Sequence, residues 1–503
     1  MIKKKLILLS LGILPLQSVL IAQTVNSAVE ATMYDVIGSG RYVSMGGAFT
    51  AVGGDLSAIK INPAAAGMKK TDEYAVSADF SMYQFESTAN GASQKANMNR
   101  FSIPDFTYVS VQPTNDLHWK AMNFSLGFQR LNNLNSSVNF SGKGRFKSYI
   151  NTLRDDAQTL SDQGYTFAEN SIVYQAYQTV MIDKDEKGNY YSMLEQDGQE
   201  FSYEYESTGK IYEMFLSVSS AYQNKLFVGA TLAFPIYNQS TSSYLREYNF
   251  LYPKTDLTLN GVPTQLVSAH FQQDHNVTGS GVVGKFGLIY RVDKNIRLGA
   301  SYHTPTYYNL EDNFSYETTA YFKNYATQRI EYGGGALFNM ITPAHYNLGF
   351  AYIFGKKGLL SVDYNYTNIS GTEYIVPTTD INYNYFNGDK TLDGDRGIND
   401  LIREDFKGSH TIKVGGELNA KPMRFRAGAA IQTSPYNSGN SLQSVTVSGG
   451  MGYSKKEFFI DFGASYRMSE AEVNLNAYSG PEGNSSEKIN QLQLVLTVGR
   501  KLK

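Results

Sequence analysis

The chain has no cysteine among its 503 residues, and this absence excludes two kinds of structure. A disulfide-stapled scaffold needs paired cysteines, and a thiolate metal site needs their sulfur. Lysine and arginine (44 residues) nearly balance aspartate and glutamate (46 residues), which leaves a formal net charge of −2. No basic surface for nucleic acid is therefore indicated. The sequence predicts neither a cofactor nor a metal site.

Long apolar runs are also missing, except at the very beginning of the chain. Lys3, Lys4 and Lys5 precede the apolar stretch Leu6–Leu16, and Ala22 fits a cleavage position before Gln23. Residues 1–22 are predicted to be a secretory signal peptide, which implies export in a Gram-negative type of cell. Because no second run of 18 apolar residues follows, we expect no transmembrane helix in the mature chain.

Proline (13) and tryptophan (1) are scarce, whereas tyrosine (38), phenylalanine (28) and glycine (45) are abundant. This mixture favours strands over helices or disorder. Apolar residues alternate with polar or glycine residues, for example Phe458, Ile460 and Phe462 against Asp461 and Gly463. The pattern is typical of a barrel with lipid outside and water inside, although a β-sandwich produces the same alternation.

The lengths of the connections favour the barrel over the sandwich. Short and long links alternate, as expected for a membrane barrel with short turns on one side and long loops on the other. Both chain ends then lie on the short-turn, periplasmic side. The sequence therefore predicts an all-β fold, a 14-stranded antiparallel transmembrane β-barrel. Its strands are expected at about 74–86, 103–112, 119–130, 211–223, 225–237, 279–291, 295–304, 344–354, 358–368, 409–419, 423–433, 443–454, 457–467 and 489–500.

The segment Val43–Gly67 is rich in small residues, nearly uncharged, and ends close after Asn62-Pro63-Ala64. Locally, Asn62 fits a helix N-cap, Pro63 the first helical residue and Gly67 the residue that ends one short helix. The segment also resembles the N-terminal hatch of the long-chain fatty-acid transporter (FadL/TodX) family of outer-membrane proteins. Further resemblance lies in strand segments at Ile296–Pro305, Thr342–Tyr352 and Phe459–Tyr466.

This resemblance implies residues 23–72 as a hatch within a barrel of residues 73–503. It implies a monomer in the cell outer membrane, inserted among its lipids by the barrel-assembly machinery. The implied activity is passive transport of hydrophobic small molecules or lipids, such as long-chain fatty acids or aromatic hydrocarbons, with lateral exit through a kink in the third strand. Such a transporter is not an enzyme.

The resemblance also implies particular site residues. The hatch and ligand path would include Gly46, Gly47, Phe49, Asn62, Pro63 and Ala64. Gly127 in the third strand is a candidate for the lateral opening, because glycine inside a strand often marks a bulge or a close approach. A lumen-facing glycine without a special role is the alternative.

The other residue groups that could form a catalytic or metal site are weaker candidates. No Gly-x-Ser-x-Gly elbow organises a hydrolase, and Asp183–Gly188 lacks the ligand set of a calcium loop. The acidic cluster Asn387–Asp395 is either a Ca²⁺ site or a plain acidic turn. His270, Asp274 and His275 share a predicted loop that is better explained as solvated than as a metal site.

A second function from another class is a structural or secretion-associated barrel that binds a protein partner. The segment 131–210 is long enough for such a role, and Tyr203–Glu206 is a candidate external strand. Tyr307-Tyr308 and Tyr383–Phe386 are either a first, loose ligand site or residues that pack among the loops. Uptake requires a continuous apolar pocket against the hatch, whereas a scaffold requires no such pocket.

Overall fold

The computed structural model describes residues 27–502, apart from residues 90–91, 144–146, 163, 165–166, 168–170, 377–396, 438–441 and 473–484. The predicted signal peptide, the first hatch residues 23–26, the acidic cluster Asn387–Asp395 and the tyrosine-rich segment Tyr383–Phe386 lie outside the described residues.

The described strands form one closed antiparallel barrel of fourteen members, as predicted. Closure comes from a continuous ladder between the first and the last strand, from Glu73↔Lys501 to Ala89↔Ser485. The strands are β1 Glu73–Ala89, β2 Ala92–Pro113, β3 Trp119–Asn133, β4 Glu200–Tyr222, β5 Leu226–Tyr248, β6 Gln265–Arg291, β7 Ile296–His303 continued by Thr306–Lys323, β8 Gln328–Thr342 continued by His345–Ile353, β9 Gly358–Asn368, β10 Gly408–Ala420, β11 Met423–Thr433, β12 Leu442–Ser454, β13 Phe458–Glu472 and β14 Ser485–Lys501. Strands β7 and β8 are each interrupted beside a proline, Pro305 and Pro343, which has no N–H for the ladder.

The barrel has the inverted burial pattern of a membrane protein. Phe286 is 54 % exposed, whereas its chain neighbour Lys285 is fully buried. In the same way Ile460 faces outward and Asp461 faces inward. Since only lipid makes an outward apolar face favourable, the wall has the exterior of a membrane-spanning β-barrel.

Several strands continue far beyond the apolar band, which corrects their predicted lengths. Strand β6 begins at Gln265 and not near residue 279, and β4 begins at Glu200 and not near residue 211. Apart from Val267, their outward residues in these extensions are polar, so the sequence shows no sustained alternation there. His270 and His275 therefore lie on strand β6, and not in a loop as predicted.

The hatch segment, defined here as residues 27–72, lies inside the ring of strands. It contains helix α1 (residues 27–32), helix α2 (Gly40–Ser44) and two 3₁₀ turns, Ser57–Lys60 and Pro63–Met68. Helix α2 contacts strands β11 to β14, and the turn Pro63–Met68 contacts β3 to β6. A segment that touches both sides of a closed ring lies within it.

At the end opposite the short turns, residues 147–199 and 249–264 form a small external cap. The cap contains helix α3 (Tyr149–Asp162), helix α4 (Ile172–Gln178) and two short hairpins, Ile182–Lys184 with Tyr190–Ser192 and Thr258–Leu259 with Val262–Pro263. Its apolar core, with Ile150, Leu153 and Val173, packs on residues such as Phe271 of strand β6. The strand Ser136–Lys143 pairs with β4 and places Tyr203 opposite Phe140, which confirms the candidate external strand.

A further short helix, α5 (Ile398–Asp405), and the strand Glu373–Ile375 pack over the start of the hatch segment. Ile398 and Ile402 share one apolar cluster with Ala28 and Val29 of helix α1. Connections from the far end of the barrel therefore reach down to the hatch. No helix in the described ranges is both long and apolar enough to cross a bilayer.

Candidate functional site

Glycines shape the turns of the hatch segment. Gly46, Gly47, Gly53 and Gly54 all have positive φ, between 62° and 74°, a conformation that favours glycine. At Gly46 a Cβ would also lie 2.9 Å from the carbonyl oxygen of Ala429 in the wall. Gly54 has open space around it, so only its dihedral angle requires glycine.

Asn62 ties two turns of the hatch to the wall. Its Oδ1 accepts a hydrogen bond from the N–H of Ala64 (3.0 Å), the N-cap geometry predicted from the sequence. Its Nδ2 donates to the carbonyls of Thr50 (2.8 Å) and Leu288 (3.1 Å). Pro63 begins the 3₁₀ turn as predicted, and the turn ends at Met68, one residue after the predicted Gly67. Asn62 is fully buried, so it fixes the hatch against strand β6.

The wall receives the hatch backbone at glycines, a role that the alternating pattern did not reveal. A Cβ on Gly287 would lie 2.0 Å from Oδ1 of Asn62, and one on Gly229 would lie 2.5 Å from the carbonyl carbon of Pro63. Gly428 meets Met45, and Gly463 meets Gly40. The glycines of the lumen face are therefore docking positions for the hatch.

Buried ion pairs hold helix α2 on the opposite wall. Arg41 of the hatch binds Glu417 (2.9 Å), and Glu417 also accepts from Arg426 (2.7 Å), which in turn binds Asp461 (2.6 Å). The rings of Phe49 and Tyr42 pack with centroids 5.5 Å apart, and the Arg41 guanidinium lies over the Phe49 ring. These contacts fix the predicted residue Phe49 in the interior of the hatch.

Basic side chains gather where the hatch meets strands β6 to β10. We define the basic cluster as Lys60, Lys285, His303, His345 and Lys413, each of which influences another electrostatically. Lys285 is paired with Glu213 at 2.5 Å and donates to the carbonyl of Lys60 (3.2 Å). Among the described residues, Lys413 has no ion pair within 4.0 Å although its exposure is only 7 %.

The two imidazoles of the basic cluster keep unused ring nitrogens. His303 Nε2 lies 2.9 Å from the carbonyl of Ile61, while His303 Nδ1 and His345 Nε2 have no partner within the described part of the chain. Tyr34 of the hatch stacks on His345 with centroids 4.4 Å apart. Burial lowers the pKa of the Lys60 ammonium well below its ordinary value.

An apolar cluster of buried side chains adjoins the basic cluster through Tyr34. Tyr34 packs against a cluster that joins helix α1 to the wall and to α5, with Tyr308, Met340, Ile369, Tyr374 and Ile398 among its members. Tyr308 of the predicted tyrosine pair is buried here, whereas Tyr307 faces outward with 44 % exposure. An apolar surface next to buried ring nitrogens without hydrogen-bond partners suits an amphipathic molecule.

The wall is interrupted between strands β2 and β3. Their ladder ends at the pair Asp105↔Gln129, and above it β2 pairs only with β1. A bulge at Ile103-Pro104 in β2 faces a register shift between Arg130 and Asn132 in β3. Strand β3 then turns inward, since Ser136 reaches Glu487 on β14 with a 2.9 Å hydrogen bond.

The hatch touches this break directly. Ser57 donates to Asp105 Oδ2 (2.9 Å), and Gln129 donates to the carbonyl of Leu56 (3.1 Å). Gly127 lies two residues below the break, in regular pairing with Thr107 and Phe215. The interruption is therefore in the strand expected from the resemblance, but not at Gly127 itself, where a Cβ would lie 2.1 Å from the Phe106 carbonyl oxygen.

No metal site accompanies these features in the described ranges, where no group of three or more acidic, histidine or cysteine ligands occurs. His275 pairs with Asp312 (2.9 Å), and His270 lies 2.7 Å from the Tyr244 hydroxyl.

The fold of this chain recurs in known structures. The chain matches the toluene transporter TodX of Pseudomonas putida with a TM-score of 0.53 and 14 % identity, over 94 % of this chain and 100 % of that one. This chain shares its fold. A Pseudomonas aeruginosa FadL homologue matches with a TM-score of 0.53 and 13 % identity, over 93 % of this chain and 99 % of that one.

The CymD monoaromatic hydrocarbon channel matches with a TM-score of 0.50 and 13 % identity, over the same shares of the two chains. The fold predicted from the sequence resemblance is thereby confirmed. No protein-family model matches the sequence, and no curated protein matches it.

Proposed function

We propose that the protein is an outer-membrane channel for hydrophobic compounds, and that its preferred substrates are long-chain carboxylic acids. The fold is shared with a toluene transporter and a monoaromatic hydrocarbon channel, which supports hydrophobic cargo. The hatch blocks the lumen, the substrate passes beside Asn62-Pro63-Ala64, and it leaves sideways into the membrane between β2 and β3. Transport is passive and involves no reaction.

The observation that carries the substrate class is the buried ammonium of Lys413 near His345, which has no ion pair within 4.0 Å among the described residues, while its cross-strand neighbour Asp363 accepts from the Thr50 N–H (2.7 Å). A buried charge without a partner is costly, so the site favours an anion that arrives with its own apolar body. A carboxylate supplies the charge, and its alkyl chain gains about 0.8 kcal/mol for each CH₂ group transferred from water to apolar surroundings, such as the cluster beside Tyr34. A neutral aromatic hydrocarbon would leave the Lys413 ammonium unpaired.

The test compares uptake of a long-chain carboxylate with uptake of its methyl ester. The protein would be produced in a Gram-negative host that lacks its own transporter of this kind. Lys413→Gln should lower carboxylate uptake about tenfold, because a hydrogen bond to a charged group is lost, and should change ester uptake little. Lys407→Gln, which alters an exposed lysine near the start of β10, is the matched control.

The alternative function is a scaffold barrel that binds a protein partner. The external cap favours it, because the cap exposes Leu251 (62 %) and Tyr252 (46 %) at the far end of the barrel. A scaffold predicts no saturable uptake of either probe by the unaltered protein, and that result would refute the channel.

A further inference from the structure

The break between β2 and β3 is crossed by the Arg130 side chain, and beside it the hydroxyl of Tyr212 on β4 donates to the Ile103 carbonyl of β2 (3.1 Å). Arg130 is the first residue of β3 after the last pair with β2, and its guanidinium crosses to the opposite side of the break. Its Nη2 binds Asp79 of β1 at 2.7 Å, and its Nη1 donates to Ser102 of β2. Both charged side chains are nearly inaccessible, at 4 % and 1 % exposure. An ion pair therefore bars the gap.

The two partners in this ion pair are not equally dependent on each other. Asp79 also accepts hydrogen bonds from Ser81 (3.2 Å), Ser102 and Gln493 (3.0 Å), so it keeps several donors if the guanidinium leaves. Arg130 has no second carboxylate within 4.0 Å among the described residues, and its Nε–H has no acceptor there. The guanidinium thus needs a new anion whenever it moves, whereas Asp79 does not.

Lys60 connects this bar to the basic cluster. Its ammonium donates to the carbonyls of Ile37 and of Arg130, the second at 3.5 Å. The carbonyl of Lys60 in turn accepts from Lys285. A carboxylate that leaves the basic cluster towards the break would therefore pass from one cationic group to the next.

We propose that Arg130 is a specificity-determining residue at the lateral exit: its guanidinium bars the gap by binding Asp79, and it yields when a substrate carboxylate takes the place of Asp79. Arginine binds carboxylates through two parallel N–H···O bonds, so the exchange replaces one ion pair by another, while Asp79 keeps its neutral hydrogen-bond donors. A neutral molecule offers no such exchange and has to displace the buried pair. The role of Arg130 rests on the proposed channel function.

The test measures the ratio of carboxylate uptake to methyl-ester uptake in Arg130 variants. Arg130→Gln should lower this ratio about tenfold, since the charged partner for the head group is gone. Arg130→Lys keeps the charge but not the planar fork, and should restore the ratio only in part. Asp79→Asn should raise ester uptake, because the bar loses the charge that holds it. Lys95→Gln, on β2 with an exposed side chain that pairs with Glu86 of β1, is the matched control and should leave the ratio unchanged.

Folding of each variant is checked by the heat-dependent shift of the barrel on electrophoresis. If Arg130→Gln folds and keeps the ratio of the unaltered protein, or changes both rates by the same factor, Arg130 has no role in specificity and the proposal is overturned. If the unaltered protein takes up neither probe, the channel function fails, and the exit role fails with it. Preferential uptake of the carboxylate that persists in Arg130→Gln overturns the exit role alone.

Discussion

At the scale of single residues, the hatch is held by a few side chains that each make several buried contacts. The side-chain amide of Asn62 caps the turn Pro63–Met68 and makes two further hydrogen bonds, one to Thr50 of the hatch and one to Leu288 of the wall. Such a residue cannot be replaced by an apolar one without leaving carbonyls unpaired. The same holds for Glu417, which joins Arg41 of the hatch to Arg426 of the wall.

Replacing Asn62 by alanine should loosen the hatch without preventing assembly of the barrel. Loss of the cap costs about 1 kcal/mol, and the unpaired carbonyls of Thr50 and Leu288 add about 1–3 kcal/mol. Hydrogen exchange of residues Pro63–Met68 should become faster, and selective uptake should fall. Asn62→Asp retains the capping oxygen but places a buried carboxylate oxygen against the carbonyls of Thr50 and Leu288, so it should loosen the hatch at least as much as Asn62→Ala. Equal protection in all three proteins would contradict this account.

Wall glycines give a second prediction at this scale. Gly428→Val places a Cβ 2.3 Å from the backbone of Met45, so the hatch has to shift, at a cost of about 1–3 kcal/mol for overpacking. Limited proteolysis should then cut within residues 40–54 more readily. Gly449→Val on the neighbouring strand is the control, since its nearest atom is 3.6 Å away. Equal cleavage of both variants would show that Gly428 is not a docking position.

At the scale of elements, the external cap is attached to the barrel through the start of helix α3. Glu247 of β5 is 1 % exposed and accepts hydrogen bonds from the Ser148 hydroxyl (2.7 Å) and the Tyr149 N–H (2.8 Å). The residue lies well beyond Ile236, the last outward apolar residue of that strand. Burial raises the pKa of the Glu247 carboxyl to about 7, and nearby Asp197 adds to the effect.

Docking of the cap should therefore depend on pH between about 4.5 and 7. In this range an undocked, solvated glutamate has lost its proton, whereas the docked one retains it, so docking weakens as the pH rises and changes little above 7. Hydrogen exchange in residues 149–162 should be slower at pH 5 than at pH 8. Glu247→Gln should remove most of this difference, and a difference that persists in the variant would assign the effect to another group.

Elements in contact with lipid could be predicted from the sequence, and those away from it could not. Lipid outside and water inside force the alternation seen in Phe458–Tyr466, whereas the extension of β6 from Gln265 is polar on its outer face and gives no such signal. The Asn62 cap was predictable because its partner Ala64 is two residues away. Pairs such as Glu213 with Lys285 or Asp79 with Arg130 join distant positions, and no local pattern shows them.

At the scale of the whole molecule, the barrel and its contents are held by different forces. The wall is closed by a complete strand ladder and faces lipid with apolar side chains, so its stability does not require the hatch. The hatch, in contrast, depends on the wall for most of its buried contacts. A barrel of fourteen strands is also too wide to be filled by its own side chains.

Deleting residues 27–70 should therefore leave a folded barrel that conducts ions and has lost its selectivity. Without the hatch, the lumen residues Glu417, Arg426 and Asp461 would become exposed and hydrated, which suits a water-filled pore. Single-channel conductance in planar bilayers should rise steeply, and the ratio of carboxylate to ester uptake should approach that of diffusion without a site. The Gly449→Val barrel, which retains its hatch, is the control for conductance. Low conductance together with intact selective uptake would show that the hatch neither blocks the lumen nor selects the substrate, and would contradict this account of the hatch.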